Sequence, residues 1–281
     1  MGIGAIADHD TENPKVVIAS DRLVTTQQQS AIEHEHPETK LSKVGMYLEG
    51  THLVAVVAGS VQFGERYLES IESGIEAFIR ENEEEPWVST VAEVAGNQYR
   101  AFVQEKIENV VLQTYGLRLD DLSRQHQFKD GFLDDLLAEA DQVRQQIHQN
   151  LVLLLGGVGP QGAGVYQVTA NDVIPQNDMG YATIGSGTQP AESEFIKSEY
   201  GKTDGLTKAF ATVAAANHQA KKASGVGGEP DIMVVDTNGV HEVDEETSKA
   251  LMERQNKIAK EQEKKRGKIL EEEDINWDTG V

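Results

Sequence analysis

Asp21 and Arg22 stand where charge is costly. They follow Val16-Val17-Ile18-Ala19-Ser20, a largely apolar run without alternation, which reads as a strand covered on both faces. A carboxylate at the end of such a strand needs a partner, unless the chain simply emerges into solvent there. The short apolar piece Gly2-Ile3-Gly4-Ala5-Ile6-Ala7 offers a strand to pair with it. The polar connection Asp8 to Lys15, punctuated by Asn13-Pro14, makes the two a hairpin and brings the first residue close to Asp21.

Three other stretches hold residue types suited to chemistry. Glu33-His34-Glu35-His36-Pro37-Glu38 alternates possible metal ligands, but Pro37 and the acidic setting favour a solvated loop. Gly157-Val-Gly159-Pro-Gln-Gly162 matches the dinucleotide-binding fingerprint letter for letter. The next segment, Gly164 to Thr169, reads as a strand, so no helix N-terminus is available for a pyrophosphate. These glycines are expected to turn a hairpin. Gly185-Ser186-Gly187, closing the strand-like Tyr181 to Ile184, marks a tight turn or a close backbone approach to a site.

The chain has 281 residues, enough for one large or two ordinary domains. Its 25 Lys and Arg against 47 Asp and Glu leave a net charge of −22. That charge opposes binding to nucleic acid or anionic membrane. The absence of cysteine excludes disulfides, thiolate–zinc sites and a cysteine nucleophile. There is no signal-like start, and no run reaches the ~20 apolar residues of a membrane span. A cytoplasmic protein without a cofactor is the expectation.

Positioning elements follow from periodicity. Lys40 to Val44 and His52 to Ala58 read as strands. A helix then carries Phe63, Tyr67, Leu68, Ile71, Ile75 and Phe78 mostly at three- and four-residue spacing. Thr90-Val-Ala-Glu93 has the form of a capping box opening a second helix. Residues 115–130 are irregular, and Gly131 to Asn150 is a third helix. Leu151 to Leu155 is a central strand; Glu192 to Tyr200 and Leu206 to Lys222 are a helix pair. Ile232 to Val235 and Val240 to Val243 form a hairpin across Asp236-Thr-Asn238-Gly239. The stretch 244–281 reads as a charged, solvated helix with a frayed end. The order predicts an α+β domain over 1–243, with extra residues near 115–150 and two antiparallel sheets face to face between helices.

Val17-Ile-Ala-Ser-Asp21-Arg-Leu-Val-Thr25, Lys40-Leu41, Ala58-Gly59-Ser60, Ile184-Gly185-Ser186-Gly187 and Ala223-Ser224-Gly225 followed by Asp231-Ile-Met-Val-Val resemble a known family. In this order they are similar to the proteasome β-subunit branch of the N-terminal-nucleophile (Ntn) hydrolases, over residues 2–243. The resemblance implies a four-layer αββα sandwich and self-association into a ring or stacked ring through the helices at 63–80 and 90–113. It also implies threonine-type peptidase chemistry, in which a first-residue hydroxyl attacks an amide and the α-amine of the same residue is the base. A free α-amine has a pKa of about 7.7–8.0, already near working pH. By resemblance, Lys40 favours the neutral amine and Asp21 holds Lys40. The Gly59 N–H faces the oxyanion, Thr25 binds extended substrate backbone, and Ser186 sits against the amine.

Two departures bear on activity. Met1-Gly2-Ile3-Gly4 has no threonine, serine or cysteine, which makes Gly2 (or Met1) a terminal position without a nucleophile. Lys221 stands where the family has an aspartate. Three outcomes stay open: a peptidase with a differently processed first residue, a catalytically inactive ring-forming subunit, and a ligand-binding module.

Overall fold

The apolar runs at the start of the chain form the middle of a sheet. In the computed structural model, which describes residues 1–28, 30–35, 39–59, 61–122, 128 and 131–272, β1 (Gly2–Ala7) pairs antiparallel with β2 (Lys15–Ser20). Side chains of 24–28, 30–35, 61, 62, 150, 263 and 266–272 lie outside that description. The long ribbon β3 (Leu23–Gln28) and β4 (Ser30–Glu35) stands apart from the two main sheets. The backbone up to Glu35 is therefore a paired strand rather than the expected loop, because an even alternation fits a two-stranded ribbon as well as it fits a metal site.

The second sheet starts with β5 (Leu41–Val44) and β6 (His52–Gly59). Three helices follow: α1 (Val61–Asn82), α2 (Val88–Val110) and α3 (Phe132–Asn150), before β7 (Leu151–Gly159), β8 (Gly162–Val168) and β9 (Val173–Pro175) complete the sheet. The chain then returns to the first sheet through β10 (Tyr181–Ile184), packs α4 (Thr188–Lys197) and α5 (Leu206–Ala220), adds β11 (Asp231–Asp236) and β12 (Gly239–Glu242), and ends in α6 (Glu245–Glu272). The strand orders are β10-β1-β2-β11-β12 and β5-β6-β7-β8-β9, antiparallel throughout.

Alternation assigns each strand residue to a layer. Val16 and Ile18 of β2 meet Val54, Val56, Leu154 and Val165 between the sheets. Val17 and Ala19 of the same strand face α5 with Ala209, Val213 and Ala216. Leu151, Leu153 and Leu155 of β7 face Tyr67, Ile71, Ile75 and Tyr99 of α1 and α2. The result is the expected α+β sandwich in four layers, αββα. Both central strands are covered on both faces, which explains why neither alternates polar and apolar. Each fully buried Val, Leu or Ile adds about 1.5–3 kcal/mol of transfer free energy.

Several boundaries differ from the sequence reading. Gly157-Val-Gly159-Pro-Gln-Gly162 turns the expected hairpin, but the turn itself is only Pro160-Gln161: Gly157 lies inside β7, Gly159 ends it, and Gly162, at φ +97°, opens β8. A β-carbon on Gly157 would lie 2.5 Å from the carbonyl oxygen of His52, so β6 approaches too closely for any side chain. Gly157→Ala is expected to cost about 1–3 kcal/mol by overpacking, read as a lower urea midpoint with unchanged slope. α2 opens at Val88 rather than at a Thr90 cap. Burial of Val88 and Val91 fixes its start, the residue before it, Trp87, makes no side-chain cap, and Thr90 falls within the first turn. α4 begins at Thr188, with Pro190 accommodated in the first turn, where no N–H is needed. α6 is not solvated throughout: Ser248 and Met252 are buried, and Gln255 Nε2 donates to the Ala211 carbonyl of α5 at 3.3 Å. Among the described residues no helix is long and apolar enough to cross a membrane.

Candidate active site

The buried carboxylate finds its partners at the first residue and at Lys40. The Met1 α-amine donates to Asp21 Oδ1 at 3.0 Å, and Lys40 Nζ donates to the same oxygen at 2.8 Å. Asp21 is fully buried and Lys40 only 18% exposed, so this is the expected ion pair, completed by a second cation. Lys40 Nζ also donates to the Leu23 carbonyl. The other oxygen, Asp21 Oδ2, accepts the Gly227 N–H at 3.3 Å. Backbone register sets the first contact: Gly2 pairs with Ser20, and the Asp21 N–H reaches the Met1 carbonyl at 3.4 Å. The neighbouring guanidinium is satisfied elsewhere, by a two-oxygen contact of Arg22 Nε with Asp231 at 3.0 Å to each.

Glycines close the end of the sandwich around the amine. A β-carbon on Gly185 would lie 3.4 Å from the Met1 nitrogen and 3.4 Å from the Ala58 methyl. This turn therefore passes directly over the amine, beside the end of β6. Gly59 ends β6, exposed, with φ +127°, a conformation that favours glycine. The residue against Met1 is Gly185, whereas Ser186 is exposed in the turn and makes no hydrogen bond to the amine. Thr25 lies in β3 opposite Glu33, and its side chain is outside the described residues, as are those of Glu33, His34 and Glu35 and the whole of 36–38. No cluster of three metal-ligating side chains occurs among the described residues.

Met1, rather than Gly2, carries the amine beside Asp21. Gly2 sits in β1, where a β-carbon would be 2.6 Å from Val56 Cγ1. The Met1 side chain packs with Ala220 and Val226 in the core under α5 and is 6% exposed. Lys221 caps the C-terminal end of α5. The Gly227 contact was missed in the sequence, where Ser224-Gly-Val-Gly-Gly228 reads only as a helix stop.

Burial pushes the Met1 amine below its ordinary pKa of 8.0; Asp21 pulls it back up and Lys40 pushes it down further. Between its folded value and 8.0 the unfolded amine binds more protons than the folded one, so stability rises with pH through that window. The contribution is lost as pH falls through the folded value. His218, lowered by burial and by Lys221 and Lys222, adds a rise of the same sign below 6.5. Urea unfolding between about pH 6 and 9 is expected to show the upper rise in His218→Gln as well. A flat profile between about pH 7 and 8 would contradict a buried, depressed amine.

No family model matches this chain, and no curated protein does.

Proposed function

We propose that this protein is a self-assembling, proteasome β-like member of the Ntn-hydrolase class, with its amide-directed site at the Met1 amine. The observation that carries the reading is the shared oxygen Asp21 Oδ1, which takes both the α-amine and the Lys40 ammonium inside the fold. Burial favours the neutral amine, the form that accepts a proton from an attacking hydroxyl. Lys40 supplies positive charge for the developing oxyanion, Asp21 fixes the positions of both nitrogens, and Gly59 offers a backbone N–H. Thr25 serves extended peptide backbone by strand addition.

Met1 contributes no hydroxyl or thiol, and its thioether is committed to the core. That packing favours a second reading, a ring-forming subunit that keeps the charge network without turnover. Intact mass of the purified protein, followed by treatment with an electrophilic peptide, separates the two. An adduct on the first residue together with peptide cleavage supports an active hydrolase; an unmodified Met1 with cleavage at background supports the subunit. Self-association is assigned to α1 and α2, the helices to which the resemblance points. A monomer by light scattering across concentration and salt would refute it, high salt included because −22 opposes assembly at low ionic strength.

A further inference from the structure

β10 is the outermost strand of the first sheet, paired with β1 on one side and with no strand on the other among the described residues. The Ile6 N–H donates to the Gly180 carbonyl at 2.7 Å. Alternation along the antiparallel ladder then makes Gly4 with Ala182, and Gly2 with Ile184, the hydrogen-bonded pairs. Tyr181 and Thr183, opposite Ala5 and Ile3, fall between them and turn their N–H and C=O groups outward. No other backbone group meets those outward groups among the described residues. Such an edge is a template for a further strand.

The strand borders a cavity of about 180 Å³. Gln167 of β8, Gln176 after β9, Met179, and Glu192 and Ile196 of α4 line it together with residues 181–183. Its walls are held in place from within the fold. The Tyr181 ring stacks on Phe195 with centroids 4.2 Å apart, and Thr183 Oγ1 donates to Glu192 Oε1 at 3.2 Å. Glu192 Oε2 has no hydrogen-bond partner among the described residues. Burial, and then the Glu192 carboxylate, push the Tyr181 phenol above its ordinary pKa. Glu192 is therefore the one charged side chain among those lining the cavity. Met179 and Ile196, 55% and 69% exposed, add apolar surface to the same cavity.

These features select the occupant. The volume is below the roughly 300–1,000 Å³ of sites that enclose a drug-sized ligand, and it suits a single side chain. A carboxylate with one unpaired oxygen beside exposed apolar surface fits Lys or Arg. The aliphatic stem of either covers Met179 and Ile196 while the charged head reaches Glu192. The net charge of −22 attracts a basic segment and opposes an acidic one. We propose that the outer edge of β10 binds an extended, Lys- or Arg-bearing segment of another protein by strand addition. Tyr181 and Thr183 supply the main-chain hydrogen bonds, and Glu192 selects the basic side chain. The site uses no residue of the Met1 amine network, of α1 or of α2, so its failure leaves the proposed function untouched.

The test uses the full-length chain and fluorescein-labelled heptapeptides of alternating Thr and Val with Lys, Arg, Leu or Glu at the centre. By fluorescence anisotropy the Lys and Arg peptides are expected to bind about tenfold more tightly than the Leu and Glu peptides. Glu192→Gln, which keeps an acceptor for Thr183, is expected to remove that preference. Methylating one alternate set of peptide nitrogens is expected to abolish binding, and methylating the other set to leave it, because only one set faces β10. The bound Lys peptide is expected to slow amide exchange at Tyr181 and Thr183. Equal affinity for the Lys and Glu peptides, tolerance of both methylated sets, or no binding by any of the peptides would overturn the site. Spermidine binding that depends on Glu192, with no gain from a peptide backbone, would also overturn strand addition and reassign the cavity to a free polyamine.

Discussion

Asp21→Asn is expected to lower folding stability by on the order of 3–5 kcal/mol, because the Lys40 ammonium then loses its counter-charge in a largely buried site and the Met1 amine loses the carboxylate it donates to. The Met1 amine and Lys40 both rely on Asp21 Oδ1, and no other carboxylate reaches either nitrogen among the described residues. Lys40→Met is expected to cost less, since the amine still neutralises Asp21. The double substitution should therefore cost less than the sum of the two, the sign of a coupled network. Urea unfolding with an unchanged slope is the measurement. A loss below about 1 kcal/mol for Asp21→Asn would place this array with surface ion pairs and remove the basis for reading it as a site.

The second large effect concerns the first residue. A protein whose first residue proves to be Met1 is expected to form no covalent adduct with an electrophilic peptide and to cleave peptides at background. Donors and charge without a nucleophile leave only a small part of an enzyme's rate. The structure says where a hydroxyl could be restored. Position 2 has no room for a β-carbon, since Val56 Cγ1 lies 2.6 Å from where it would go, whereas position 1 already carries a side chain. Met1→Thr, exposed as the first residue by cleavage of a removable leader, is expected to form the adduct that the Met1 chain does not. Amine-base activation of that hydroxyl gives on the order of 10²–10⁴-fold over the Met1 chain. Failure of Met1→Thr to label, with its mass confirmed, would leave the ring-forming reading in possession of the site.

The sequence by itself determined the strands that carry the site. Residues 16–19 and 151–155 are continuous apolar runs, short and, in the first, bounded by turn residues and rich in β-branched side chains, which reads as strands covered on both faces. The Asn13-Pro14 and Asn238-Gly239 turns were legible for the same reason, because their backbone preferences are local. So was the need of Asp21 for a cation, since burial of an unpaired carboxylate is too costly to leave standing. Tertiary structure decided the rest. Which residues β7 pairs with made Gly157 part of a strand, since the approach of the His52 carbonyl is invisible in a match to a glycine pattern. Core burial of Val88 and Val91, not the Thr90 cap, set the start of α2, because apolar transfer over several side chains outweighs the ~1 kcal/mol of a cap. The third partner of Asp21, the Gly227 N–H, lies 206 residues away along the chain, and a backbone donor has no side-chain signature to read. Only the folding of the sandwich brings that donor, the first amine and Lys40 to one carboxylate.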